Sequence, residues 1–461
     1  MVLQPEASNV DRTKLPEPGP APHWAPPEVA EVKLENGATL WYVKQGNTPL
    51  VSVQLVMPSG ASADPNGREG LTQLTVDMLD EGAGSLDALA LSEALQRLAT
   101  SYGGRTGTDH VELGMSLLAE HFDASMQLLA DIVMRPKLTA KDFARRRAEL
   151  ITELVADEKR SDTGRIAVTR KVLFGKGYGS YSPGGDRQSI ARIQLADVVR
   201  QHRALFAPEG ATFIVVGGLD QAAAQASIER AFKGWSGSPR VTPRALEPKG
   251  GAGGVHLVDY PGATQSAVAV AARGPAHGGE AYFADETFNW TLGGAFTSRL
   301  NMNLREDKGY TYGARSTFNR WKHSGFYWLA AKVKSETTRA SIDEMLKEIE
   351  EVCAARPITE KEQREAVQGM LLGLPGDFEG VSDTAMQLSA AKIAGRGAGW
   401  FGEWVTGIER VTLEQTRAAA SRYCDPKQYV IVVAGDRSSV EPTLSGLGDL
   451  KRYDVLGQPA R

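Results

Sequence analysis

Cysteine is nearly absent: Cys353 and Cys424 are the only two in 461 residues. Two are too few for a disulfide framework or a cysteine-rich zinc site, so they read as buried thiols and leave the redox compartment open. Histidine is scarce too. The seven stand at 23, 110, 121, 202, 256, 277 and 323. No two lie four apart, so the chain has no pair of imidazoles one helical turn apart to grip a zinc ion. No run approaches the roughly 18 apolar residues that span a bilayer. A net charge of −4 supplies no basic surface for nucleic acid or anionic lipid. Residues 1–28 lack both the charged and the apolar segment of a signal peptide. They carry Pro5, Pro16, Pro18, Pro20, Pro22, Pro26 and Pro27 instead, the composition of an extended tether. Such a tether fits a periplasmic or otherwise extracytoplasmic protein after removal of an export signal or anchor. The alternative is a cytoplasmic tail.

What the chain does have is repetition. Phe213-Ile214-Val215-Val216-Gly217 is echoed by Val430-Ile431-Val432-Val433-Ala434, a spacing of 217 residues between Ile214 and Ile431. The stretch from Ser52 to Gly60 is echoed by the one from Ser266 to Gly274, a spacing of 214 between Gly60 and Gly274. Two echoes at nearly one spacing indicate duplicated halves. Between them Pro239, Pro243, Pro248 and the run from Lys249 to Gly254 have linker composition. The expected organisation is a tether at 1–28, a first domain at 29–238, a linker at 239–254, a second domain at 255–450 and a tail at 451–461. In each half, alternating segments such as 38–43 and 51–56 predict strands, and helical stripes such as Leu71, Leu74, Met78 and Leu79 come after them. Thr139 and Asp142 open a helix expected to reach Asp157, and Asp220 stands where it could cap a helix over 221–233. The class expected is α+β, two homologous domains of mixed sheet with helices packed on it.

The segment Gly70-Leu71-Thr72-Gln73-Leu74-Thr75-Val76-Asp77-Met78-Leu79 puts positions 73, 76 and 77 on one helix face. Its frame resembles the inverted zinc motif His-x-x-Glu-His of the pitrilysin/insulinase peptidases, matched by Gly70, Leu71, Met78 and Leu79. Gln73 and Asp77 stand where the two His ligands would be, and Val76 stands for the Glu that takes a proton from zinc-bound water. The third ligand of that family, a Glu on a later helix, corresponds to Glu153. The resemblance therefore implies no catalytic residue and no metal in this chain. The cluster Asp109-His110-Val111-Glu112 alternates as on a strand and reads as a solvated polar face.

The second half carries the fuller match. Leu292-Gly293-Gly294-Ala295-Phe296-Thr297-Ser298-Arg299-Leu300, then Leu304-Arg305-Glu306 to Tyr310-Thr311-Tyr312-Gly313, resembles the segment that binds substrate in the second domain of these peptidases. The resemblance implies Arg305 and Tyr312 as a substrate-binding pair, with Gly293 and Gly294 in a loop facing substrate. Arg305 could donate to peptide carbonyls and Tyr312 to a developing oxyanion. Alternatively Arg305 pairs with Glu306 or Asp307, Tyr310 competes with Tyr312, and the glycines serve packing. Some members of the family work as two chains, one bearing the zinc motif and the other the Arg/Tyr pair. This chain resembles the second kind. The resemblance thus implies a non-catalytic, substrate-binding subunit of a heterodimeric zinc metallopeptidase, inactive alone, with zinc and the general-base Glu in a homologous partner and peptides as substrates. The alternative is a non-enzymatic structural or peptide-binding protein that retains the fold.

Overall fold

Alternating apolar positions become the strands of two mixed six-stranded sheets. The computed structural model describes Asp11 and residues 24–46, 48–247 and 253–460. Most of the expected tether and the middle of the expected linker lie outside the described residues. The first sheet is built from β1 (Ala30–Lys33), β2 (Thr39–Lys44), β3 (Leu50–Met57), β6 (Ser101–Thr106), β7 (Val111–Leu118) and β8 (Thr212–Gly217). Between β3 and β6 lies a short hairpin, β4 (Gly82–Ala83) and β5 (Leu86–Asp87). The second sheet holds β9 (Val255–Asp259), β10 (Gln265–Gly274), β11 (Thr311–Arg320), β12 (Gly325–Lys334), β13 (Val430–Gly435) and β14 (Leu450–Tyr453).

The strand orders are β1-β2-β8-β3-β7-β6 and β14-β9-β13-β10-β12-β11. The repeated Ile-Val-Val segments, β8 and β13, occupy the same place in each, parallel to β2 or β9 and antiparallel to β3 or β10. The duplication seen in the sequence is a duplication of topology. The halves differ at one edge: β1 runs antiparallel to β2 and comes first in the chain, whereas β14 runs parallel to β9 and comes last. β14 carries the second sheet to Tyr453. The α+β class is as expected.

Each half lends a helix to the other. One face of the first sheet packs on helices of its own half, with Leu129, Ile132 and Ile228 among the buried residues. Its opposite face, through Trp41, Val43, Ile214 and Val216, is covered from the second half by Leu374, Phe378, Leu388 and Trp400. Conversely, Val168, Leu173 and Phe174 of the Ser161–Phe174 helix pack on Val258, Ala269 and Val432 of the second sheet. Strands buried on both faces read as continuous apolar runs, as β8 and β13 do. Trp24 joins this exchange, its ring 5.4 Å from Phe378.

Polar groups line the seam between halves. Asp109 accepts from the Tyr178 hydroxyl and, at 2.9 Å, from the Lys322 backbone N–H. Buried Glu112 accepts from the Ser389 hydroxyl and from Arg105 Nε at 3.0 Å. Arg170, also buried, donates to the Gly179 carbonyl at 2.9 Å and lies 4.6 Å from the Trp321 ring. The expected solvated face at 109–112 is thus a set of contacts inside the protein. Asp220 also departs from expectation: its carboxylate bonds Lys44 at 2.9 Å and does not cap the Gln221–Ala231 helix.

The cysteines are corrected outright. Cys353 and Cys424 are not buried thiols but a disulfide, with Cα atoms 6.1 Å apart and a sequence separation of 71, and Cys353 is exposed. The bridge ties the chain beyond the Thr338–Glu351 helix to that beyond the Leu413–Ser421 helix. Closing a loop of that length lowers unfolded-chain entropy by about 4 kcal/mol at 25 °C. Urea melts with and without reductant should differ by roughly that amount, with two alkylatable thiols appearing only after reduction. Coincident melts would remove the bridge as a stabilising element.

His256 on β9 gives a pH dependence. It is 3% exposed, with Nδ1 3.1 Å from the Tyr453 hydroxyl. Burial, with Lys451 nearby, lowers its pKa to about 4. The folded value lies below the unfolded one of about 6.5, so the stabilisation is full above pH 6.5 and is lost as pH falls toward 4. The His256 contribution should fall by about 2–3 kcal/mol between pH 7 and pH 4, read as the change across that range in the difference between wild-type and His256→Gln denaturant midpoints.

Candidate functional site

The zinc-motif frame folds into the Leu71–Asp77 helix, and its start depends on Gly70. Gly70 has φ of 88°, and a Cβ there would lie 2.6 Å from the Gly184 carbonyl oxygen, so only glycine suits. Buried Asp64 accepts from the N–H groups of Gly70 and Thr72 at 2.8 and 3.0 Å and from the Thr72 hydroxyl at 2.6 Å. It thereby satisfies donors that the first turn leaves open. Burial pushes Asp64 up to about 7 against the pull of those donors. Leu71, Leu74 and Met78 pack with Phe143 and Leu150 of the Ala140–Asp157 helix, which Thr139 caps by accepting from the Asp142 N–H at 3.1 Å. This apolar seam fixes the rotation of both helices and turns 73 and 77 toward 146 and 153.

A guanidinium lies between the two carboxylates. Arg146 Nη2 donates to Asp77 at 3.0 Å, and Nη1 donates to Glu153 at 2.8 Å. The Gln73 amide donates to the other Asp77 oxygen at 2.7 Å. Burial opposes the charge on Arg146, yet its bond to Glu153 and the charges of Asp77 and Glu153 hold its pKa above the ordinary value. Burial raises Asp77, with Arg146 as the main opposing influence. Val76 is 2% exposed and packs on β6, where a Cβ on Gly104 would come 2.4 Å from its Cγ1. A zinc ion does not fit these residues: one amide, one aliphatic chain and two carboxylates already claimed by an arginine offer no imidazole. Beside them is a cavity of about 290 Å³ lined by Asp77, Asp80, Tyr102 and Arg146 among others. Sequence reasoning missed Arg146. Its signal was there: it precedes Glu153 by seven residues, two helical turns, and so shares its face.

The second-half residues lie elsewhere, on two π-helical turns, Trp290–Gly294 and Met302–Asp307, packed against β11. Gly293 is explained by close approach: a Cβ would sit 2.4 Å from the Ser316 backbone nitrogen. On Gly294 it would crowd Asn289 at 2.9 Å. Arg305 stands in the second π-turn, with Nε 3.1 Å from Glu306 and its guanidinium 4.6 Å from the Phe296 ring. Tyr312 is 90% exposed on β11, an edge strand. Tyr310 is partly buried, its N–H donating to the Leu304 carbonyl at 2.9 Å. Of the two tyrosines, 312 is the more exposed. Phe296 and Met302 are exposed nearby in the chain. Among the described residues no hydrogen bond or ion pair joins Arg305 or Tyr312 to the group around Arg146.

Comparison with known proteins settles the ancestry. Residues 41–171 match the family described as insulinase (peptidase family M16), and residues 192–370 match the peptidase M16 inactive domain. The chain belongs to the M16 peptidase family. A Helicobacter pylori relative described as a non-peptidase homolog is 22% identical over 342 residues, 72% of this M16 chain and 77% of its own length. An uncharacterized zinc protease of Mycobacterium bovis is 23% identical over 377 residues, 80% of this chain and 84% of its own. The crystal structure of a peptidase M16 inactive domain from Pseudomonas fluorescens superposes with a TM-score of 0.81 at 23% identity. It covers 88% of this chain and 98% of that one. Among the described residues, no helix of this M16 chain is long and apolar enough to cross a membrane.

Proposed function

We propose that this chain is the non-catalytic, substrate-binding subunit of a heterodimeric M16 zinc peptidase. The observation that carries the reading is the Arg146 guanidinium between Asp77 and Glu153. It makes a positive charge a permanent part of the place where the resemblance expects a cation. The chain is accordingly proposed to hold no metal. Zinc and the Glu that works on its water come from a homologous partner, where the ion activates water for attack on a peptide carbonyl.

This chain's part is recognition. β11 is the edge strand of its sheet and can take an extended peptide beyond Ala314, since the N–H groups of Gly313 and Ala314 already donate to Thr311 Oγ1 and Asn301 Oδ1, each at 3.1 Å. Tyr312 offers an exposed hydroxyl donor there, and Arg305, steadied over Phe296, offers guanidinium donors. Gly293 and Gly294 serve this surface by letting the π-turn lie close to β11 and Asn289. The Cys353–Cys424 bridge supports an oxidising, extracytoplasmic compartment such as the periplasm.

The test is reconstitution with a purified zinc-motif homologue, ideally one encoded beside this chain. The expected result is a one-to-one complex that hydrolyses peptides while neither chain does so alone. A complex without hydrolysis favours the structural reading, and stoichiometric zinc with activity in the isolated chain overturns the proposal.

A further inference from the structure

Away from both groups of residues, a cleft of about 520 Å³ opens beside the helices that the second half packs on the first sheet. Its volume is in the range of small-molecule sites, roughly 300–1,000 Å³. Aromatic rings line it: Tyr282, Phe318, Trp400, Phe401 and Trp404. Ala390, Ala391 and Ala394 also line it, and their small side chains leave room among the rings. An apolar body fits between them.

The polar groups of the cleft are unevenly served. Arg320 is committed, bonded to Glu286 and 3.4 Å from Asp285. Arg396 is not. Its guanidinium lies 4.0 Å from the Trp400 ring and 5.1 Å from that of Tyr282, and no carboxylate pairs with it among the described residues. Its Nε is buried without a hydrogen-bond partner, and so is Asn319 Nδ2 on the same cleft. Leaving a buried donor unmet costs about 1–3 kcal/mol. The cleft thus holds a guanidinium with no carboxylate partner among the described residues, and its charge favours an anion. His277, also on the cleft, cannot supply charge near neutral pH, since burial and then Arg320 lower its pKa to about 4. Asp377 is exposed and open to water.

From this geometry we propose a second binding site: the cleft takes a carboxylate carried on an apolar or aromatic body about the size of one amino-acid residue. The carboxylate pairs with the Arg396 guanidinium, and the body stacks among the rings. The inference is independent of the subunit reading, since none of these residues belongs to the Arg305–Tyr312 surface.

The ligand is a free organic acid or the C-terminal residue of a peptide, and the experiment separates the two. Tryptophan fluorescence of the full chain is titrated with 3-phenylpropionate, with 3-phenylpropionamide, and with Gly-Gly-Phe bearing a free or an amidated C-terminus. At least one carboxylate is expected to bind about 10-fold or more tighter than its amide, the effect of losing a charged hydrogen bond. Tighter binding of Gly-Gly-Phe than of 3-phenylpropionate assigns the site to peptide ends, and the reverse order assigns it to free acids. Arg396→Gln is expected to erase the preference for the carboxylate in a chain that still melts cooperatively. Equal affinity for acid and amide, no binding by either carboxylate, or an unchanged Arg396→Gln titration overturns the proposal. Ala394→Leu, which narrows the cleft and leaves the donors alone, should weaken binding of both bodies.

Discussion

In the reconstituted two-chain enzyme, Tyr312→Phe is expected to lower kcat by about 100-fold, the usual effect of removing one donor to a developing oxyanion. The substitution deletes one oxygen from a side chain that is 90% exposed, so folding and assembly should not change. Arg305→Ala should act differently. Its guanidinium would meet peptide carbonyls in ground and transition states alike, so the loss falls mainly on KM, about 10-fold. The alanine also frees Phe296, over which the guanidinium now lies, and Arg305→Lys should restore only part of the effect because a point charge cannot reproduce the planar fork. Peptide-hydrolysis kinetics with the partner's zinc content held constant would read both. If Tyr312→Phe and Arg305→Ala leave kcat and KM untouched in an active complex, these residues are not substrate contacts.

The second large effect concerns metal. Gln73→His with Asp77→His places two imidazoles one turn apart beside Glu153, formally a complete ligand set. The double variant is nonetheless expected to bind zinc poorly, because Arg146 still holds Glu153 through a 2.8 Å bond and repels an incoming cation. Two unit charges about 4 Å apart at an effective dielectric near 20 repel by roughly 4 kcal/mol. Adding Arg146→Ala should therefore raise zinc affinity by at least about 100-fold, measured by competition with a chromogenic chelator. Val76 stays in place, so no new charge is buried against β6 and no activity need be restored. Equal affinity with and without Arg146 would show that the arginine is not the obstacle, and the observation carrying the proposed function would lose its force.

Much of the site is legible in the sequence, because it depends on residue type at fixed helical spacing. An amide, a valine and a carboxylate at 73, 76 and 77 leave neither an imidazole nor a general-base Glu there, whatever surrounds them. The Thr139 cap and the two Ile-Val-Val strands are legible for the same reason, since capping and alternation are local. Asp220 shows the limit of local signals: it sits at a cap position, but Lys44, distant in sequence, holds its carboxylate.

The sequence by itself determined three things about this protein: the duplicated halves, the α+β class and the loss of the imidazole ligands. Periodicity, repetition and side-chain chemistry are written within short stretches. Tertiary structure alone decided the rest. It put Arg146 between Asp77 and Glu153, bonded Cys353 to Cys424, and carried Asp109 and Glu112 into the seam. It also packed a helix from each half on the other half's sheet. Each of these depends on which distant segments share a buried face, and burying both faces of each sheet is what brings those segments together.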